Sequence, residues 1–129
     1  MTLAGRVALV TGGGRGIGRG IALALAEDGA DIAVNYRKDA AAAQETVAAI
    51  EKLGRRARAY AASVDSYDDD QRMVEAAVKD FGFVDILINN AGIASRGNTV
   101  EKTDPAEMER VVRTHAFGAH HLCQLVLPS

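Results

Sequence analysis

Two rhythms alternate along the chain. Short unbroken apolar runs, Val7-Ala8-Leu9-Val10, Ile32-Ala33-Val34 and Ile86-Leu87-Ile88, are separated by longer stretches where apolar residues return every three or four positions. The runs predict parallel strands covered on both faces, and the stretches predict amphipathic helices. A first helix over 16–28 carries Ile17, Ile21 and Leu25 along one face, with alanines between them for close approach. A second over 39–53 aligns Ala43, Val47 and Ile50, and a third over 67–81 aligns Met73, Val74, Ala77, Val78 and Phe81. Gly29, Gly54 and Gly82 close these helices as C′ glycines do, and each precedes a strand, over 31–36, 58–64 and 84–89.

A fourth helix opens at Asp104-Pro105-Ala106-Glu107, with the N-cap, N1 proline and N3 glutamate in order. Its pattern continues to 127, roughly 34 Å of helix. Met108, Val111, Val112, Ala119, Leu122 and Val126 mark one face, while Phe117 and Leu125 add apolar positions that a sheet alone leaves uncovered. Ser66 is placed to cap the third helix, and Asp68, Asp69 and Asp70 suit the positive end of its dipole. These three acids are expected to be solvated first-turn residues, and no metal site is predicted. The order βαβαβαβα with right-handed crossovers predicts an α/β fold, an open parallel sheet in one domain over 1–129.

Composition narrows the function. The chain has 129 residues, 48% hydrophobic and 25% charged, with a formal net charge of −2. That length supports a real core, and that charge offers no electrostatic case for a nucleic-acid or membrane partner. No apolar run reaches transmembrane length, and the N-terminus lacks a signal-peptide layout. The single cysteine, Cys123, excludes an internal disulfide framework and falls in an apolar helical pattern, where a packed core thiol is expected. A cytoplasmic location is the expectation.

Chemistry concentrates in Thr11-Gly12-Gly13-Gly14-Arg15-Gly16-Ile17-Gly18, between the first strand and the first helix. A strand turning sharply into a helix presents unpaired N–H groups and the positive end of the helix dipole, a seat for a pyrophosphate. Gly12 permits the tight turn, Gly16 lets the chain approach the phosphates, and Gly18 lets helix and strand pack closely. A flexible surface loop is the alternative reading, and the flanking strand and helix argue against it. At the end of the second strand there is no acid to accept from a ribose 2′-OH; Asn35-Tyr36-Arg37-Lys38 stands there instead. Arg15 and Arg37 suit a phosphate dianion at that corner, which favours NADP(H) over NAD(H). The alternative is a solvated loop whose field Asp39 blunts.

Thr11-Gly12-x-x-x-Gly16-Ile17-Gly18 together with Asn89-Asn90-Ala91-Gly92 at the end of the fourth strand resembles the short-chain dehydrogenase/reductase family. The stretches 4–10 and 81–87 read like it too, and the nearest likeness is to 3-oxoacyl-carrier-protein-reductase-like members. The resemblance implies a Rossmann-type doubly wound parallel sheet, of which this chain supplies the first four βα units. It implies an oxidoreductase acting with a nicotinamide cofactor on a small-molecule carbonyl or alcohol. Gly12, Arg15, Gly16, Ile17, Gly18 and Arg37 would hold the cofactor, and Asn90, Ala91 and Gly92 would line the ribose and the approach to the nicotinamide. Asn89 is expected only to tie neighbouring strands.

Three departures accompany the likeness. Ser63-Val64 stands where the family carries Asp-Val at the adenine, so the Ser63 hydroxyl or the carboxylate of Asp65 must accept there. His115 occupies the place of the family's catalytic Asn, as a relay group or as a packed helix residue. Finally, the family's Tyr-x-x-x-Lys is missing: four residues beyond Tyr36, Tyr60 and Tyr67 stand Ala40, Val64 and Gln71. The chain is therefore expected to be the N-terminal, cofactor-binding part of a longer domain. The alternative is a catalytically inactive nucleotide-binding or oligomerisation module. A homo-oligomer, dimer or tetramer, built through the fourth helix is the expected assembly.

Overall fold

A computed structural model describes residues 2–92 and 99–129. Strand β1 (Val7–Val10) leads into α1 (Gly16–Glu27), β2 (Asp31–Tyr36) into α2 (Ala40–Lys52), and β3 (Ala57–Ala61) into α3 (Tyr67–Phe81). After β4 (Ile86–Ile88) come a 3₁₀ turn at Val100–Lys102, α4 (Pro105–Val112), a π-helical turn at Arg113–Phe117 and α5 (Gly118–Val126). All pairings are parallel and the strand order is β3-β2-β1-β4, with Leu9 opposite Ala33 on one side and Leu87 on the other.

Alternate residues of β1 feed two cores, as the two-residue period of a strand requires. Ala8 and Val10 pack with Ile32 and Val34 against Ala22 and Ala26 of α1 and Ala43, Val47 and Ile50 of α2. Val7 and Leu9 face the other way, toward Met73, Val74, Ala77 and Phe81 of α3 and Leu122 and Val126 of α5. The sheet is thus covered on both faces, a doubly wound Rossmann-type arrangement.

Several expectations are corrected. In α1 the buried stripe is Gly18, Ala22 and Ala26, not Ile17, Ile21 and Leu25; Ile17 is 77% exposed. The helix lies so close to the sheet that only small side chains fit between them. Strands β3 and β4 are shorter than predicted. The amide of Ser63 goes to the Asp69 carboxylate and that of Asn90 to the Thr11 hydroxyl, which ends each ladder early. Cys123 is exposed, because it sits one residue, about 100° of helix, from buried Leu122. Asp70 is fully buried; it shares the stripe of Met73, Val74 and Ala77, three to seven residues on.

The fourth helix is not one regular rod. In an unbroken α-helix Met108 and Leu122 would lie about 40° apart, whereas the one extra residue of a π turn separates them by roughly 140°. Leu122 and Val126 accordingly enter the core, while no residue of α4 is buried and Met108 stays 64% exposed. Among the described residues, no helix is long and apolar enough to cross a membrane, and no group of three His, Cys, Asp or Glu is placed to hold a metal.

At the amino edge of the sheet, Asp31 staples β2 to the segment entering β3. Its carboxylate accepts from the Arg56 amide at 3.0 Å, from Arg55 Nη2 at 3.1 Å and from Arg56 Nε at 3.0 Å. Burial alone would raise the Asp31 carboxyl, but these bonds outweigh it and hold it below the usual carboxylate range. A lowered carboxyl adds stability that is present above the unfolded value of about 3.9 and disappears as pH falls through the folded value. Asp31→Asn should therefore cost ~1–2 kcal/mol at pH 7, toward the low end because Arg56 is largely exposed. Urea titrations at pH 7 and pH 3 check this: the gap between parent and variant should narrow in acid.

Candidate functional site

Parallel strands bring their carboxyl ends to one edge, and the chain reverses its direction across the sheet between β3 and β4. Ligands of open α/β sheets bind in the crevice such a reversal leaves. A cleft of about 530 Å³ opens there, walled by Gly12, Gly14 and Arg15 after β1, 35–39 at the end of β2 and beyond it, 62–65 after β3 and 90–92 after β4.

Four polar side chains hold the walls. Asn35, buried in an otherwise apolar strand, accepts from the Gly12 amide at 3.1 Å and donates to the carbonyls of Tyr60 and Ala62 at 3.3 and 3.2 Å. Thr11 Oγ1 accepts from the amides of Asn90 and Ala91 at 3.0 and 2.9 Å and donates to the Ile88 carbonyl at 3.2 Å. The Asn90 amide donates back to the carbonyls of Thr11 and Gly12 at 3.2 and 3.3 Å. Thr46 on α2 donates to the Gly14 carbonyl at 3.2 Å. Thr11, Asn35 and Thr46 received no role from the sequence. The available signal was a polar residue interrupting an apolar pattern, at 35 inside β2 and at 46 on the buried stripe of α2.

The glycines meet distinct demands. Gly12 takes φ +63° and Gly16 φ +58°, conformations that L side chains rarely adopt. At Gly18 a Cβ would lie 2.1 Å from the Gly12 carbonyl oxygen and 2.5 Å from Asn90 Nδ2. Gly16, Ile17 and Gly18 form the first turn of α1, beside the cleft. Asp39, Ser66 and Asp104 cap α2, α3 and α4 through their side chains, but among the described residues α1 has no side-chain cap and no acid in its first turn. Its amide groups and positive dipole end are left for an anion.

The remaining candidates fall around this centre. Arg15, Arg37 and Lys38 line the cleft, and none forms an ion pair among the described residues. Ser63, Val64 and Asp65 form the opposite wall, with the Ser63 hydroxyl donating to the Asp65 carboxylate. Ala91 and Gly92 line it as well, whereas the Asn90 side chain is engaged by the first turn. The strand tie expected of Asn89 is made by Asn90. Asn89 is exposed, its amide 3.7 Å from Cys123 Sγ, because it points out where β4 ends. His115, in the π turn, lines a smaller cleft of about 100 Å³ that shares Val64, Asn90 and Ala91 with the first. Its ring lies over Gly92, where a Cβ would come within 2.5 Å of Cε1.

Residues 6–129 match the family model described as short chain dehydrogenase. The chain is 47% identical to a hydroxynaphthalene reductase of Aspergillus fumigatus, covering 99% of this chain and 48% of the relative. A short-chain dehydrogenase of Burkholderia cenocepacia, solved in complex with NADP, superposes with a TM-score of 0.95 at 39% identity, over 99% of this chain and 52% of that one. An NAD⁺-bound xylitol dehydrogenase gives a TM-score of 0.92 at 34% identity, over 98% and 48%. The chain belongs to the short-chain dehydrogenase/reductase family. It spans about half the length of the curated relatives it matches.

Gly18→Ala should lower stability by about 1–3 kcal/mol, since backbone carbonyl and Asn90 must both give way. Gly16→Ala, with open space around it, should cost only about 1–2 kcal/mol of left-handed strain. Thermal unfolding of both variants tests the contrast. Loss of the β1–β4 bonds in Gly18→Ala should also appear as faster exchange of the Asn90 and Ala91 amides.

Proposed function

We propose that this chain supplies the dinucleotide half of an oxidoreductase that moves hydride between NADP(H) and a carbonyl or alcohol substrate. The observation that carries this reading is the uncapped start of α1 facing a cleft whose second-strand corner is basic and lacks an acid at Tyr36 or Arg37. The fit of a dinucleotide rests on residues present: Gly12, Gly16, Ile17 and Gly18 would hold the pyrophosphate on backbone amides, and Arg15 and Arg37 the 2′-phosphate. Ser63, Val64 and Asp65 would take the adenine, while Asn90, Ala91 and Gly92 would border the ribose and nicotinamide. Bound there, the cofactor's nicotinamide carries the hydride. The general acid is assigned to the part of the domain that the longer relatives carry beyond the matched half. Exposed Met108, Val112 and Phe117 support a homodimer or tetramer built on the fourth helix.

The specificity of the corner is directly measurable. Losing a charge-assisted phosphate contact costs about 1.5–3 kcal/mol, so Arg37→Ala should weaken NADPH roughly ten- to a hundredfold and leave NADH nearly unchanged. Calorimetric titration of both cofactors tests it; equal losses would assign Arg37 to the solvent.

His115 takes, in this reading, the relay position at the nicotinamide end, because its ring covers Gly92 and borders Asn90 and Ala91. An imidazole there has both a donor and an acceptor nitrogen with which to serve a proton relay. In the whole protein, His115→Ala should slow kcat while cofactor affinity holds, the mark of a group used in the chemical step. Normal turnover in that variant would make the residue structural.

A further inference from the structure

The junction of α3 and α5 contains a carboxylate that dinucleotide binding does not use. Asp70 is wholly buried, and among the described residues neither of its carboxylate oxygens has a hydrogen-bond partner. The Nδ1 atom of His121, on α5, lies 3.5 Å from Asp70 Oδ2 and is also buried without a hydrogen bond. Tyr67 packs edge-on against the imidazole, ring centres 5.2 Å apart. The two other charges that act on Asp70 are acids, Asp69 and Asp65. Asp69 on α3 holds the Ser63 amide and pairs with Arg72, and Asp65 takes the Ser63 hydroxyl. The core shared by the two helices is otherwise apolar, with Met73, Val74 and Leu122.

A buried carboxylate without a donor is unfavourable unless it is protonated or paired. Burial first, then Asp69 and Asp65, push the Asp70 carboxyl up to about 8. We propose that Asp70 and His121 share a single proton and form a latch that clamps α3 to α5 at neutral pH and opens in alkali. Either placement of the proton turns the Asp70–His121 contact into a hydrogen bond: a carboxyl O–H donating to the neutral ring, or a ring N–H donating to the carboxylate. The proton belongs to the pair. Because α3 begins with the Ser66 cap and with Asp69 gripping the Ser63 amide, the latch also steadies the 62–65 wall of the cleft.

The sign of the pH effect follows from proton counts. Unfolded, Asp70 gives up its proton at about 3.9. Folded, the proton stays on Asp70, in contact with the His121 ring, to about 8, so the window runs from about 3.9 to about 8. Its contribution is therefore fully present below that window and lost as pH rises through it. The folding equilibrium constant should fall about tenfold per pH unit across the window from this pair alone.

Urea unfolding of the whole protein from pH 6 to 9 tests the latch against two variants. Asp70→Asn keeps the size and a donor for the ring. The double variant Asp70→Val with His121→Leu replaces the pair by apolar groups and guards against misfolding of the first. Both should lack the tenfold-per-unit fall that the parent shows beyond its other groups. In parallel, the Asp70 carboxyl, followed by its carbon resonance, should titrate near 8 in the parent. Equal slopes in parent and both variants, or an Asp70 carboxyl that titrates in the ordinary carboxylate range, would overturn the proposal.

Discussion

Asn35 is the constraint on which the carboxyl edge of the sheet depends. Beyond the last ladder bonds, strand ends would diverge, because loops share no repeating hydrogen-bond pattern. The Asn35 side chain replaces the missing bonds on both sides at once, gripping the Gly12 amide after β1 and two carbonyls of the β3 segment. Thr11 and Asn90 do the same between β1 and β4. Each leaves an unsatisfied buried group if a partner moves, at a cost of about 1–3 kcal/mol. The four walls of the cleft are therefore held as one unit.

The same rigidity explains the small residues of α1. Gly18 touches the Gly12 carbonyl region that Asn90 also binds, so helix packing and turn geometry are a single requirement. Ala22 and Ala26 continue that close approach along the helix. Larger residues there would lift the helix and carry its amide-bearing end away from the cleft.

Much of this was legible in the sequence, for definite reasons. Unbroken apolar runs flanked by helical periodicity can bury both faces only in a parallel sheet, and the caps at Ser66 and Asp104 are local chemistry that needs no tertiary context. Burial that depends on helix separation was not legible. Ile17 looks like core to a periodicity argument, and only the tight packing of α1 turns it outward. Asp70 reads as a first-turn acid until α5 closes over it. The π turn escaped notice because nothing in Arg113-Thr114-His115-Ala116-Phe117 breaks a helix, and with it went the phase of everything beyond. Around the cleft, glycines and arginines announced themselves by type, whereas Thr11 and Asn35 act through buried bonds that composition cannot display.

The basic corner also governs how a ligand arrives. The chain as a whole is slightly acidic, with a formal net charge of −2, yet Arg15, Arg37 and Lys38 gather at one mouth without ion-pair partners among the described residues. A polyanion approaching within the screening distance, about 8 Å at physiological salt, feels the local excess of that cluster over Asp39 and Asp65, which line the same cleft. Encounter of such an anion would thereby be biased toward the carboxyl edge of the sheet, and added salt would slow its capture without slowing its release.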